Sequence, residues 1–123
     1  MTTTQVLAVG LVVLTTGLTH QRAQQPSCLH GPNESAEQAR RRSTALGLAR
    51  QINSTEAAAK IRGNTYYVLT DLPGLASEVE GFKVQLSTDG ATYTFAIKDT
   101  VDPCRFAYFS DQDGVIYSGT PIR

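Results

Sequence analysis

The aromatic residues of this 123-residue chain are confined to its second half, and this separation limits the folds open to it. The five Tyr and four Phe residues all lie between Tyr66 and Tyr117. Residues 34–62 contain no aromatic residue and are rich in Ala, Glu, Gln, Arg and Leu, which favour helix. The sequence therefore predicts one helical segment followed by a segment of aromatic-rich strands.

The predicted helix covers residues 34–62. Asn33 is a good N-cap, and Gly63 suits the left-handed conformation that commonly follows a last helical turn. Small and aliphatic residues recur at helical spacing and form one narrow apolar stripe: Ala45, Leu48, Ala49, Ile52 and Ala59. Because these side chains are mostly small, the helix can pack closely against a sheet.

Strand patterns follow the helix. Residues 66–70 are β-prone and end at a turn sequence. Residues 82–87 and 93–97 alternate between apolar and polar side chains and flank Asp89-Gly90, which predicts a hairpin.

A second hairpin is predicted from residues 105–109 and 115–118, which are joined by Asp111-Gln112-Asp113-Gly114. With the first hairpin, this gives an antiparallel sheet of about four strands. The expected fold class is α+β, with one long N-terminal helix packed on that sheet.

An apolar run near the N-terminus indicates export. Residues 6–18 fall far short of the roughly 20 residues that a membrane-spanning helix needs, and their length is typical of a secretory signal with Ala23 before the cut. We expect a secreted or periplasmic protein without a stable membrane span after cleavage. A retained anchor or a core helix are the alternatives. The expected division is a signal peptide at 1–23, a linker containing Cys28 at 24–33 and one domain at 34–123.

Export places the two cysteines in an oxidising compartment, where disulfides persist. We expect Cys28 and Cys104 to pair, and two separate thiols are the alternative. In the loop-entropy model, a bridge between residues so far apart stabilises a domain by on the order of 4 kcal/mol.

Composition argues against several classes of function. Eleven basic residues balance eleven acidic ones, whereas nucleic-acid binding normally needs clustered basic residues in excess. The two Cys and two His residues are unsuitably spaced for a four-ligand zinc site. Neither a Gly-x-Ser-x-Gly elbow nor a Gly-rich phosphate loop occurs. We expect neither nucleic-acid binding nor enzymatic activity.

Two stretches carry a family resemblance. Residues 45–57 read Ala-Leu-Gly-Leu-Ala-Arg-Gln-Ile-Asn-Ser-Thr-Glu-Ala, and residues 106–117 run from an aromatic strand through an acidic Gly turn into a Val-Ile strand. They resemble the soluble helix and the last hairpin of type IV pilins and of type II secretion pseudopilins. The likeness covers about residues 36–123 and implies a pilin-like domain. The chain lacks the prepilin signal and the filament helix, so the resemblance implies an accessory role.

Calcium is the one cofactor that the sequence suggests. Asp111 and Asp113 begin a calcium-loop pattern, and Asp99 and Asp102 can add further oxygens. The resemblance points the same way, since major pseudopilins carry calcium in their C-terminal loops. A plain hairpin turn is the preferred interpretation, with calcium as the alternative.

The leading hypothesis is a non-enzymatic domain that contacts envelope or secretion-system proteins. Its candidate contact residues are the basic run and two tyrosines of the last hairpin: Arg40, Arg41, Arg42, Tyr108 and Tyr117. One alternative is a secreted carbohydrate- or small-ligand-binding module that uses its tyrosines. The other is a small hydrolytic enzyme.

Overall fold

A computed structural model describes residues 34–120, and within this range the chain forms one long helix and one four-stranded sheet. Helix α1 spans Ala36–Gly63, and a short 3-10 helix spans Leu69–Asp71. The strands are β1 Phe82–Thr88, β2 Tyr93–Asp99, β3 Ala107–Asp111 and β4 Tyr117–Gly119. The expected α+β class is confirmed.

Both ends of α1 differ from the sequence prediction. The predicted cap, Asn33, lies outside the described residues, and Ser35 is the N-cap. The Ser35 hydroxyl accepts the Gln38 N–H at 3.1 Å, and the Gln38 side chain accepts the Ser35 N–H at 2.9 Å. At the other end Asn64, and not Gly63, takes the left-handed conformation with φ 54°. Asn tolerates this conformation, so the helix continues through Gly63.

The sheet is an antiparallel meander in the order β1-β2-β3-β4. The first hairpin is confirmed, with β1 and β2 as its strands. In the second hairpin, β3 begins at Ala107 instead of residue 105. The reason is local, because Arg105 has a left-handed φ of 48° that interrupts the extended backbone.

The β-prone segment 66–70 does not join the sheet. It is irregular up to Val68 and then enters the 3-10 helix. Its one backbone link to the first hairpin is the Tyr66 N–H, which donates to the Gly90 carbonyl at 3.0 Å. The Tyr66 ring packs edge-on against Tyr93 at 4.8 Å, so the segment fills space through a side chain instead of pairing as a strand.

The core lies between α1 and one face of the sheet. All five residues of the predicted helical stripe are buried. They pack against inward-facing aromatic and aliphatic residues: Tyr93, Phe95, Ile97, Phe106 and Tyr108. The other face of the sheet is left toward solvent.

Asn53 ties the helix to the sheet by hydrogen bonds. Its side-chain nitrogen donates to the Ser110 hydroxyl at 2.9 Å and to the Gly114 carbonyl at 3.2 Å. Its side-chain oxygen accepts the Tyr93 hydroxyl at 2.7 Å. Burial raises the pKa of Tyr93 to about 12, so this hydroxyl stays a donor at neutral pH. Over residues 34–120, no helix combines the length and the apolar character needed to cross a membrane.

Candidate functional site

Arg41, a candidate contact residue, is used inside the domain. Its guanidinium donates to the two carboxylate oxygens of Asp99 at 2.8 and 2.7 Å, and to the Gly81 carbonyl at 2.9 Å. It also lies over the Phe82 ring, 4.7 Å from the centroid. The Asp99 side chain is fully buried and that of Arg41 is 15% exposed. Arg41 therefore fastens α1 to the end of β2 and does not offer an accessible contact.

The electrostatics of this pair agree with its geometry. Burial raises the pKa of Asp99, but hydrogen bonds from Arg41 and from the N–H groups of Asp102 and Val101 outweigh it, so the pKa lies below its usual value. The hydrogen bond with Asp99 correspondingly raises the pKa of Arg41. Both side chains are charged over the whole physiological range.

The other two arginines pair locally. Arg40 is exposed and forms an ion pair with Glu37, one turn earlier on α1. Arg42 donates to both carboxylate oxygens of Glu34 at 2.9 and 2.8 Å. Because the three consecutive arginines bind three different carboxylates, the basic run does not form one patch.

The four candidate calcium ligands do not converge. Asp111 pairs across the sheet with Thr94, and Thr94 lies five positions from Asp99 on β2. Five residues of a strand span about 17 Å, so Asp111 and Asp99 lie beside opposite ends of β2. No group of three or more His, Cys, Asp or Glu side chains within residues 34–120 can hold a metal ion.

The acidic Gly turn has a structure that needs no metal. Asp111 accepts the Asp113 N–H at 3.0 Å through its carboxylate and the Gly114 N–H at 2.9 Å through its carbonyl. Asp102 accepts the Cys104 N–H at 2.8 Å. The residues present therefore do not fit the calcium site that the resemblance implied.

Cys104 is buried, with 6% of its surface exposed. Its expected partner, Cys28, lies outside the described residues. The disulfide stays a prediction.

The tyrosines divide between core and surface. Tyr108 is buried at 6% exposure, whereas Tyr117 is 60% exposed. Tyr93 is also buried, Tyr66 is half-buried and Tyr67 is 37% exposed. The five therefore do not line one sugar-binding face, and Tyr117 is the one tyrosine of the last hairpin that a partner can reach.

Glu56 is a buried residue that the sequence pattern did not identify. It follows Ile52 by one helical turn on the apolar stripe and is fully buried. One carboxylate oxygen accepts the Tyr67 N–H at 3.1 Å, and the other has no hydrogen-bond partner among the described residues. Burial raises the pKa of this carboxyl. Its helical spacing from Ile52 was the available signal.

The solvent-facing side of the sheet, called the outer face here, is built from three cross-strand rows. The central row contains Gln85, Ala96, Phe109 and Tyr117. The row on one side contains Lys83, Lys98, Ala107 and Gly119. The row on the other side contains Ser87, Thr94 and Asp111. Phe109 is 42% exposed, and it lies directly opposite Tyr117.

Two depressions lie beside Phe109, and Tyr117 lines the second of them, the polar one. The basic depression has a volume of about 700 Å³, and its lining includes Lys83, Lys98, Thr100, Arg105, Ala107 and Thr120. The polar depression has a volume of about 450 Å³, and its lining includes Gln85, Ser87, Thr94 and Asp111. Phe109 borders both of them. The outer face is therefore concave on either side of an exposed aromatic ridge and runs from a basic end to an acidic end.

Sequence reasoning missed Phe109, Lys83 and Lys98, although a signal was present. The two lysines occupy polar positions of the predicted first hairpin, so alternation places both on the outer face. A two-residue turn at Asp89-Gly90 would pair Lys83 with Ala96, whereas the four-residue loop 89–92 of the structure pairs it with Lys98. Comparisons with protein-family models, with curated proteins and with solved structures find no match for this chain.

Proposed function

We propose that this chain is an exported, non-enzymatic binding domain that docks a protein of the bacterial envelope on its outer face. The observation that carries the proposal is the exposed cross-strand pair of Phe109 and Tyr117, of which Phe109 borders two depressions. Aromatic residues of this kind dominate the energy of protein interfaces.

The rest of the outer face supports a protein partner. The depressions beside Phe109 can receive side chains of a docked segment, and a Phe or Tyr side chain buries on the order of 150–250 Å². The face is basic at Lys83 and Lys98 and acidic at Asp111, so it can set the orientation of a charged partner.

Export and the accessory role rest on the sequence. Residues 6–18 have the length and apolarity of a secretory signal. Residues 106–117, which resemble the last hairpin of pilins and pseudopilins, include both Phe109 and Tyr117. In this proposal the partner belongs to a pilus or to a type II secretion machinery, and the domain is a pilin-like accessory to it.

Site-specific photocrosslinking in the native host tests the proposal. A photoreactive amino acid replaces Tyr117 in the full-length protein, and a control replaces Ile61, which is 86% exposed on α1. We expect position 117 to capture one envelope protein that position 61 does not capture. Mass spectrometry of the purified protein should find a mature N-terminus near Gln24. Equal capture from both positions, or capture from neither, would contradict the docking surface.

The affinity of each variant for the captured protein then measures what each aromatic side chain contributes to the binding free energy. Phe109→Ser or Tyr117→Ser should weaken binding about 30-fold, as expected for a hot spot worth about 2 kcal/mol. Ile61→Ser is the matched control and should leave the affinity unchanged. Binding to a glycan array that is lost in Tyr117→Ser, without protein capture, would instead support the carbohydrate-binding alternative.

A further inference from the structure

We infer that the basic depression is a carboxylate-binding site, which holds acidic side chains of the partner segment docked on the outer face. The inference rests on the proposed function and names the chemistry of the partner.

The depression gathers three positive charges, from Lys83, Lys98 and Arg105. Lys83 and Lys98 are direct cross-strand partners on the same face of the sheet, and like charges in this arrangement repel. Within residues 34–120, no carboxylate lies within ion-pair distance of any of the three. None of the three cations is therefore held in an ion pair by a side chain of the described residues, although Lys83 also borders a neighbouring depression with Glu78 and Glu80.

Asp99 also lines the depression but does not compensate this charge. Both of its carboxylate oxygens are bound by Arg41, which reaches Asp99 from α1 on the inner side of the sheet. One oxygen also accepts the N–H groups of Val101 and Asp102, each at 2.8 Å. Its side chain is fully buried, so an incoming ligand meets the cations and not this anion.

Arg105 is held at the site by an unusual backbone conformation. Its φ of 48° lies in the left-handed region, which is uncommon for a residue other than Gly, Asn or Asp. The Arg105 N–H donates to the Asp102 carbonyl at 2.9 Å, which closes a turn between β2 and β3. The side chain of this exposed residue stands at the depression without a carboxylate partner in the described domain.

The residues at the floor of the basic depression determine which neighbouring side chains of the partner can bind together with a carboxylate. Ala107 and Gly119 are adjacent small residues in the row that ends at the lysines, and they leave a recess beside the Phe109 ring. A volume of about 700 Å³ lies within the range of sites that bind ligands. The Thr100 and Thr120 hydroxyls add donors. The depression therefore suits an acidic side chain whose apolar neighbour lies on Phe109, as in a segment that alternates acidic and apolar residues.

Two synthetic peptides that differ only in charge test the inference. Purified full-length protein is titrated by calorimetry with acetyl-Glu-Phe-Glu-Leu-Glu-amide and with its counterpart in which Gln replaces each Glu. We expect the acidic peptide to bind at least about tenfold more tightly, since hydrogen bonds to charged groups are the stronger ones. Its affinity should fall as NaCl rises from about 50 to about 200 mM, because salt screens exposed charges.

Lys98→Gln should weaken binding of the acidic peptide about tenfold, which corresponds to about 1.4 kcal/mol. Arg50→Gln removes an exposed charge from α1 and should change nothing. Because Lys98 faces Lys83, its replacement should not lower the melting temperature, so lost binding will not reflect misfolding. Equal affinity for the two peptides, or an unaffected Lys98→Gln variant, would overturn the inference.

The controls separate this inference from the proposed function. Photocrosslinking through position 117 together with no peptide preference would remove the carboxylate site and leave the docking surface standing. If benzoate, a small organic carboxylate added as its sodium salt, binds as tightly as the acidic peptide, the site takes small anions and the assignment to a partner segment is wrong. If position 117 captures nothing and neither peptide binds, both proposals are overturned.

Discussion

The buried ion pair between Arg41 and Asp99 offers the sharpest test of how this domain is held together. Arg41→Met keeps an unbranched apolar side chain but removes the guanidinium. The change deletes two hydrogen bonds to Asp99, one to the Gly81 carbonyl and the contact over the Phe82 ring. It leaves the fully buried Asp99 carboxylate without its cation.

Removal of one partner from a buried ion pair typically costs about 3–5 kcal/mol. We expect about 3 kcal/mol here, because Arg41 is 15% exposed and because Asp99 keeps two backbone N–H donors. For a domain of this size, such a loss lowers the melting temperature by roughly 12–24 °C. It is also a large share of the roughly 5–15 kcal/mol that stabilises an ordinary domain.

Urea denaturation followed by circular dichroism gives the free energy of unfolding for each variant. The matched control is Arg40→Met, one residue earlier, because Arg40 is 73% exposed and its ion pair within residues 34–120 is with the exposed Glu37. That change should cost less than about 1 kcal/mol. If Arg41→Met costs no more than Arg40→Met, then the pair does not fasten α1 to the sheet and the reasoning fails.

The pair also makes stability depend on pH. Because the pKa of Asp99 is lower in the folded state than in the unfolded state, its contribution is present above an unfolded value of about 3.9 and is lost as the pH falls through the folded value. In Arg41→Met the hydrogen bond and the charge that lower this pKa are gone. Acid unfolding should therefore begin at a higher pH in the variant than in the wild type. Identical acid transitions would contradict the assignment.

Further changes test the interior and the helix end. Glu56→Gln should become more stable than the wild type as the pH rises from about 4.3 toward neutrality. The reason is that the pKa of Glu56 is raised in the folded state, so ionisation of this carboxyl destabilises the wild type over that range. A difference in unfolding free energy that does not grow with pH would refute this. Ser35→Ala should cost about 1 kcal/mol by removing the cap on the Gln38 N–H, measured by thermal unfolding, and an unchanged melting temperature would show that the capping box is not needed. Thiol titration of unfolded, exported protein should find no reactive thiol if Cys28 and Cys104 are paired, and two reactive thiols would exclude the bridge.

Elements defined by local patterns were predicted well. The apolar stripe of α1 is visible because one face of a helix repeats every three or four residues, and all five predicted positions are buried. The first hairpin is visible because alternation on both sides of Asp89-Gly90 indicates two strands joined by a turn. Its register was not predicted, since a four-residue loop, 89–92, joins the strands. The strand predicted for residues 66–70 was wrong, because β propensity alone carries no information about a partner strand.

Burial of charged side chains could not be predicted in the same way. Arg40, Arg41 and Arg42 are identical in type and consecutive, yet only Arg41 reaches a buried carboxylate at the end of β2. Glu56 lies on the apolar stripe, where its type argues against burial, and the packing of the domain nevertheless encloses it.

By itself the sequence determined the helix and the alternation of the strands, because spacing along the chain dictates both of them. The facing of Lys83 with Lys98 needed the structure, which joins β1 and β2 by the four-residue loop 89–92. Only the tertiary structure decided which side of the sheet α1 covers, and therefore that Tyr108 is buried while Tyr117 is exposed. The physical reason is that a strand with a two-residue period sorts side chains onto two faces, and β3 carries apolar residues on both of them, so its pattern does not state which face is the core. The helix makes that choice when it packs, and the outer face becomes the surface left for a partner.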